Sequence, residues 1–216
     1  MEDITVVIPV GPQKIYANYL PECIESIKRQ SLKPFEIILV DDMHGLSPDQ
    51  YPDCTLIQNK WLCGCGLSWN FGVAAARTNC VFLMGSDDIM LDGCLEECVK
   101  AYRDPEGFYN VTCETSAGEK IDLPNNAAMV TKALWKKTGG FPITSTLGAP
   151  DALLISIMLK HMSEHIHQVK QGTPLYHVRV HPEQDTGRYA AFFNWEVIQV
   201  RNKETERWQP PQWGRM

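Results

Sequence analysis

Two apolar runs that each stop at a pair of acids constrain this chain more than any other feature. Residues 35–40 end at Asp41-Asp42, and residues 80–84 end at Gly85-Ser86-Asp87-Asp88. A short apolar run without alternation reads as a strand buried on both faces, as in a parallel sheet covered by helices. Carboxylates that follow such strands stand at the carboxyl edge of the sheet, where open α/β sheets bind their ligands. A third run, residues 4–10, is rich in β-branched side chains and is closed by Gly11-Pro12, which makes it the first strand.

Helical periodicity fills the intervals. Over residues 15–30, Tyr19, Leu20, Cys23, Ile24 and Ile27 form one apolar face, with Glu22, Glu25, Lys28 and Arg29 between them. Residues 54–58 read as a short strand and residues 67–76 as a second helix. Strand and helix thus alternate through about the first hundred residues, which argues a parallel sheet with right-handed crossovers. The second half is less regular. Strands are expected at 108–113, 126–130 and 175–180, a short helix at 132–138, and an amphipathic helix at 152–161 with Asp151 as its N-cap. His161, His165 and His167 read as surface positions of a helix. Trp208, Pro210, Pro211 and Trp213 make the tail too proline-rich for a core helix and too aromatic for a plain linker, so it is expected to pack on the domain.

At 216 residues, 44% hydrophobic and 21% charged, the chain has enough apolar surface for one full core. Its net charge of −6 gives no general pull toward nucleic acid or an anionic membrane. No stretch approaches the roughly 18 uninterrupted apolar residues of a membrane span. The first apolar run also follows Glu2 and Asp3 rather than a basic region, so a soluble, cytoplasmic protein is expected. The eight cysteines show no paired CxxC spacing and read as reduced, buried thiols.

Taken in order, Pro9-Val10-Gly11, the segment 36–42, the stretch 66–72, Ser86-Asp87-Asp88, Thr138-Gly139-Gly140-Phe141, Gly148-Ala149-Pro150-Asp151 and the segment 176–185 resemble the family-two glycosyltransferases. The resemblance implies a GT-A type α/β fold, a Rossmann-like, mostly parallel central sheet flanked by helices in a single domain. That domain is expected over residues 1–187, with a donor half over about 1–100 and an acceptor half over about 101–187. Residues 188–216 are expected to add a C-terminal helix and the Trp/Pro-rich tail.

The resemblance also implies roles. Asp87-Asp88 takes the metal-binding position, and adjacent carboxylates at a strand end suit a hard divalent cation that also binds a diphosphate. Ser86 stands where the strict pattern has its first acid, so metal contact is expected mainly on Asp88, with Mg2+ or Mn2+ as the ion and His181 completing the shell. Asp41 and Asp42 take the nucleoside-binding placement, Asp41 being favoured to accept from a base N–H, and Pro9, Val10 and Gly11 are expected to close over the same base. Asn70, Ser86 and Asp87 are expected beside the donor, although Trp69 stands where the family commonly has arginine. Asp151 falls at the position of the base that takes the proton of the acceptor hydroxyl, and Gly139, Gly140 and His177 are expected on the acceptor side.

The implied activity is metal-dependent transfer of a sugar from a nucleotide-sugar, first of all a UDP-sugar, to an acceptor hydroxyl, with inversion by direct displacement. Two alternatives stand beside it. One is a GT-A module that binds nucleotide without turnover, suggested by Ser86, Trp69 and Pro150; the other is a nucleotidyltransferase, for which Gly11-Pro12-Gln13-Lys14 is a poor phosphate loop. The acceptor is left open among a glycan, a lipid-linked precursor, a protein and a nucleic-acid base. Arg179, Arg188, Arg201, Arg207 and Arg215, interleaved with Tyr189, Phe192, Phe193 and Trp195, read as a helical packing face with solvated charges ahead of a polyanion site.

Overall fold

The β-branched run at the start of the chain becomes β1 (Ile4–Val10), nearly all of it buried. In this computed structural model, residues 2–121, 127–142, 155, 157–160 and 162–181 are described. α1 (Tyr16–Lys28) buries Tyr16, Leu20, Cys23, Ile24 and Ile27, the face its periodicity selects, while Tyr19 stays half-buried. β2 (Glu36–Asp41), β3 (Thr55–Gln58), α2 (Gly64–Ala75) and β4 (Cys80–Leu83) complete the first half. Then come β5 (Ile89–Met90), α3 (Cys94–Ala101), β6 (Phe108–Thr115), β7 (Lys120–Ile121), β8 (Ala128–Thr131), α4 (Lys132–Thr138) and β9 (Ile166–Val178).

These strands form one sheet in the order β3-β2-β1-β4-β8-β6-β9-β5, with β7 alongside β6. β1 to β4 are mutually parallel, β8 runs against both β4 and β6, and β6 and β9 are parallel to each other. The sheet is therefore mostly parallel in direction, with helices on its faces. Its register pairs Val10 with Asp41 and Val7 with Leu83, so the chain leaves β1, β2 and β4 along one edge.

Alternation along β1 divides the core. Val6, Ile8 and Val10 face Leu20, Cys23 and Ile27 of α1, whereas Val7 faces Trp69 and Val73 of α2 with Phe141. Helix α2 lies so close to β1 that a Cβ at Gly72 would overlap the Val7 side chain. Glycine is required there by the approach of helix to strand.

Three elements differ from their expected form, each for a local reason. α2 begins at Gly64, ahead of residue 67, because Asp42 of the neighbouring loop accepts the N–H groups of Cys63 and Gly64 and so caps the helix from outside. The eight-residue α3 and the short β5 follow the second acid pair without a sequence signal of their own; α3 starts after Gly93, at φ 78°. β9 starts at residue 166, far ahead of residue 175, and its exposed middle carries Lys170 at φ 44° and Gly172 at φ 77°, which interrupts the alternation. His165 therefore lies in a short 3-10 turn and His167 in a strand, both largely buried, in place of the surface helix expected for them. His161, most of the 152–161 helix and the C-terminal tail lie outside the described residues.

Candidate active site

The carboxyl edge of the sheet collects the loops after β1, β2, β3 and β4. Asp41 ends β2 with its carboxylate inside a turn, where it accepts from the backbone N–H groups of His44 (2.6 Å), Gly45 (3.1 Å) and Leu46 (2.7 Å). Asp42 accepts from Asn59 Nδ2 (2.9 Å) and from the N–H groups of Cys63 and Gly64 (both 2.7 Å). Both carboxylates are 3% exposed, so each braces the edge of the site from within. His44 Nδ1 lies 2.9 Å from the Gly11 carbonyl and ties the β1 loop to the β2 loop. Val10 sends its side chain into the core and its carbonyl accepts from the Asp42 N–H, while Pro9 pairs with Val40 in the sheet.

Asn70 serves the far side of α2. Its Oδ1 accepts from the Phe141 N–H (2.9 Å) and from Trp135 Nε1 (2.8 Å), and its Nδ2 donates to the Phe141 carbonyl (2.9 Å). The donor contact expected of Asn70 thus meets an amide already committed to the Gly139-Gly140-Phe141 turn. Gly140 sits at φ 85° with Asn70 Oδ1 and Trp135 Nε1 packed where a side chain would be, so the turn admits glycine alone. His177 neighbours Ser116 Oγ at 3.2 Å. Asp151 lies outside the described residues.

The second acid pair is held from two sides. Beneath it, α1 carries the loop: Cys23 Sγ donates to the Gly85 carbonyl (3.4 Å), Ser26 Oγ accepts from the Met90 N–H (3.0 Å) and Gln30 Nε2 donates to the Leu91 carbonyl (2.9 Å). Above it, Tyr176 accepts from the Gly85 N–H (2.9 Å) and donates to Asp88 Oδ2 (2.8 Å), while the Arg179 N–H reaches Asp88 Oδ1 (2.9 Å). Burial, and then the Asp88 charge, push the Tyr176 hydroxyl and the Cys23 thiol well above their ordinary pKa values, so both stay protonated as donors. Asp88 is 2% exposed and each of its oxygens already accepts a bond from β9 or the residue just beyond it. Asp88, on which the metal contact is mainly expected, is thus oriented by these two hydrogen bonds.

Asp87 is placed differently. Its backbone carbonyl accepts from Arg179 Nε (2.8 Å), and its Oδ2 faces His181 Nε2 at 3.0 Å. That is an ordinary hydrogen-bond distance, and it is also about the separation of two adjacent ligands on one octahedral cation. Among the described residues no group of three or more His, Cys, Asp or Glu side chains is placed to hold a metal. A divalent cation that also binds phosphate oxygens and water can be held by as few as one or two protein ligands. Tyr19 and Tyr176 were given no site role in the sequence, and Arg179 was read only with the later arginines; a tyrosine on a late strand and an arginine just beyond it carry no signal that they return to an acid loop after β4.

The model of glycosyl transferase family 2 matches residues 5–140. The chain belongs to that family. Membership removes the nucleotidyltransferase alternative, and the matched stretch takes in both acid pairs and the Gly139-Gly140 turn but ends before Tyr176, Arg179 and His181. The glycosyltransferase GlyG of Streptococcus pneumoniae serotype 4 is 29% identical over 103 residues, which is 44% of this chain and 33% of that protein. Among solved structures, S. aureus TarS residues 1–349 in complex with UDP-GlcNAc has a TM-score of 0.71 at 16% identity, over 92% of this chain and 65% of that one. Another TarS structure gives 0.65 at 17% identity, over 91% of this chain and 40% of that one. The likeness to TarS shows a shared fold, and the chain spans a third of GlyG and less than two thirds of either TarS chain. No helix among the described residues is long and apolar enough to cross a membrane.

Proposed function

We propose that this chain moves a sugar from a nucleotide-sugar donor, a UDP-sugar, to an acceptor hydroxyl, with a divalent cation held by Asp87 and His181. The observation that carries this reading is the Asp87–His181 pair, 3.0 Å apart at the carboxyl edge of a family 2 sheet and beside an acid that is already locked. TarS neighbours solved with UDP-GlcNAc and with UDP support the donor class. A bound Mg2+ or Mn2+ would neutralise charge on the departing diphosphate.

The rest of the chemistry falls to the chain. Asp88, fixed by Tyr176 and the Arg179 N–H, keeps the acid loop in place so that Asp87 projects toward His181. At the nucleoside end Asp42 is the better base acceptor, because its Oδ2 takes one hydrogen bond whereas both Asp41 oxygens take two. Asp151 receives the proton of the acceptor hydroxyl as that oxygen attacks the anomeric carbon from the face opposite the diphosphate. The bond from the anomeric carbon to the phosphate oxygen breaks, the nucleoside diphosphate leaves with the bonding pair, and configuration inverts. Gly139, Gly140 and His177 belong to the acceptor side of this scheme, and a cytoplasmic setting suits eight free thiols.

The test is release of UDP from UDP-GlcNAc with Mn2+ present. The intact chain is expected to turn the donor over, and Asp151→Asn to lower the rate by about 10²–10⁴-fold while UDP still binds. A chain that binds UDP with Mn2+ and never turns over the donor would instead be a nucleotide-binding module. Trp69 favours that second reading: it is 1% exposed, its Nε1 has no hydrogen-bond partner among the described residues, and the resemblance would place an arginine there.

A further inference from the structure

A metal-bound imidazole is ordinarily held in orientation by a hydrogen bond from its other ring nitrogen to a carboxylate, a carbonyl or water. Among the described residues His181 has no such partner. Its side chain is 7% exposed, Nε2 faces Asp87, and Nδ1 is buried with no partner among the described residues. The ring packs on Tyr19 of α1 instead, with centroids 5.0 Å apart and planes tilted by 39°.

The same tyrosine carries a second group. The Arg179 guanidinium carbon lies 4.5 Å from the Tyr19 ring centroid, within cation–π range. That guanidinium is anchored at both ends, by Nη2 on Glu22 Oε2 (2.8 Å) and by Nε on the Asp87 carbonyl (2.8 Å). Tyr19 and Glu22 are three residues apart on α1 and so lie on one helical face. Arg179 therefore bridges α1 to the main chain of Asp87, and Tyr19 backs the ring that Asp87 faces. Glu22 also offsets the positive charge of Arg179, which would otherwise repel a divalent ion nearby.

We propose that Tyr19, Glu22 and Arg179 are positioning residues that hold the His181 ring and the Asp87 loop in cation-binding geometry, through the ring contact on Tyr19 and the Arg179 bridge. The proposal rests on the assignment of the cation to Asp87 and His181. An outer-shell group of this kind acts through ligand orientation, so its removal weakens the ion and leaves metal-free nucleotide binding alone.

The experiment is titration of Mn2+ into the full chain at saturating UDP, read as loss of the free-ion EPR signal, alongside UDP binding without metal. Tyr19→Leu is expected to lose roughly tenfold or more in Mn2+ affinity, while Tyr19→Phe, which keeps the ring, stays within about twofold of wild type. Glu22→Gln, a change at an exposed carboxylate, is expected to weaken Mn2+ by roughly threefold, as for loss of a surface ion pair. Metal-free UDP affinity is expected to be the same in all four proteins. Wild-type Mn2+ affinity in both Tyr19→Leu and Glu22→Gln, or equal losses in Tyr19→Leu and Tyr19→Phe, would overturn the positioning role. A wild-type chain that takes up no Mn2+ with UDP would overturn the cation assignment itself, and this inference with it.

Discussion

Asp104 shows how far a single residue's chemistry depends on neighbours that sequence distance conceals. Its Oδ2 accepts from His165 Nδ1 (2.8 Å) and His167 Nε2 (3.1 Å), and its Oδ1 from the Glu106 N–H (2.9 Å). Burial pushes this carboxyl up, but the bonds from His165, Glu106 and His167 outweigh it and bring its pKa down to about 2, from an ordinary 3.8. An acid depressed in the folded state contributes stability that is complete above its unfolded pKa and is lost as the pH falls through its folded pKa. Asp104→Asn is therefore expected to lower stability at pH 5 to 7 and to flatten the fall in stability between about pH 4 and pH 2; urea unfolding across that range measures it. An unchanged acid limb would contradict the assignment. In the sequence, His165 and His167 read as surface helix positions. Their true partner is an acid in the connection between α3 and β6, a pairing that only the closed sheet creates.

At the scale of elements, the first half of the chain was legible and the second half much less so. β1, β2 and β4 announce themselves as unbroken apolar runs because both faces are covered, and α1 by its apolar stripe. The start of α2 was not legible, since its first turn is Gly64-Cys65-Gly66 and its cap comes from Asp42 on another loop. β9 was read from its last residues alone, because its exposed middle breaks both periodicities. Gly72 is the position where the α2–β1 contact is most exacting. Gly72→Ala is expected to destabilise the protein by about 1–3 kcal/mol through overpacking against Val7, despite the better helix propensity of alanine. Chemical denaturation would show it, and a gain in stability would contradict the packing described.

At the scale of the whole molecule, the candidate site joins parts of the chain that the sequence lists far apart. Tyr19 and Glu22 come from α1, Asp87 and Asp88 from the loop after β4, and Tyr176, Arg179 and His181 from β9 and the residues beyond it. The acids themselves were visible as strand-end pairs, and His181 was visible through the resemblance. The way the two acids are held was not, because Tyr176 and Arg179, which reach Asp88, and His181, which faces Asp87, come from β9 and the residues beyond it. The central claim is that Asp87 and His181 form a cation-dependent nucleotide site. The most direct test is thermal unfolding of the wild-type chain and of Asp87→Ala with UDP, GDP or dTDP, each with and without Mn2+. The account predicts that UDP with Mn2+ stabilises the wild type, by about 2.7 kcal/mol at a hundredfold excess over Kd, and that Asp87→Ala abolishes the gain. No stabilisation by any nucleotide, or a Mn2+-dependent gain that survives in Asp87→Ala, would contradict it.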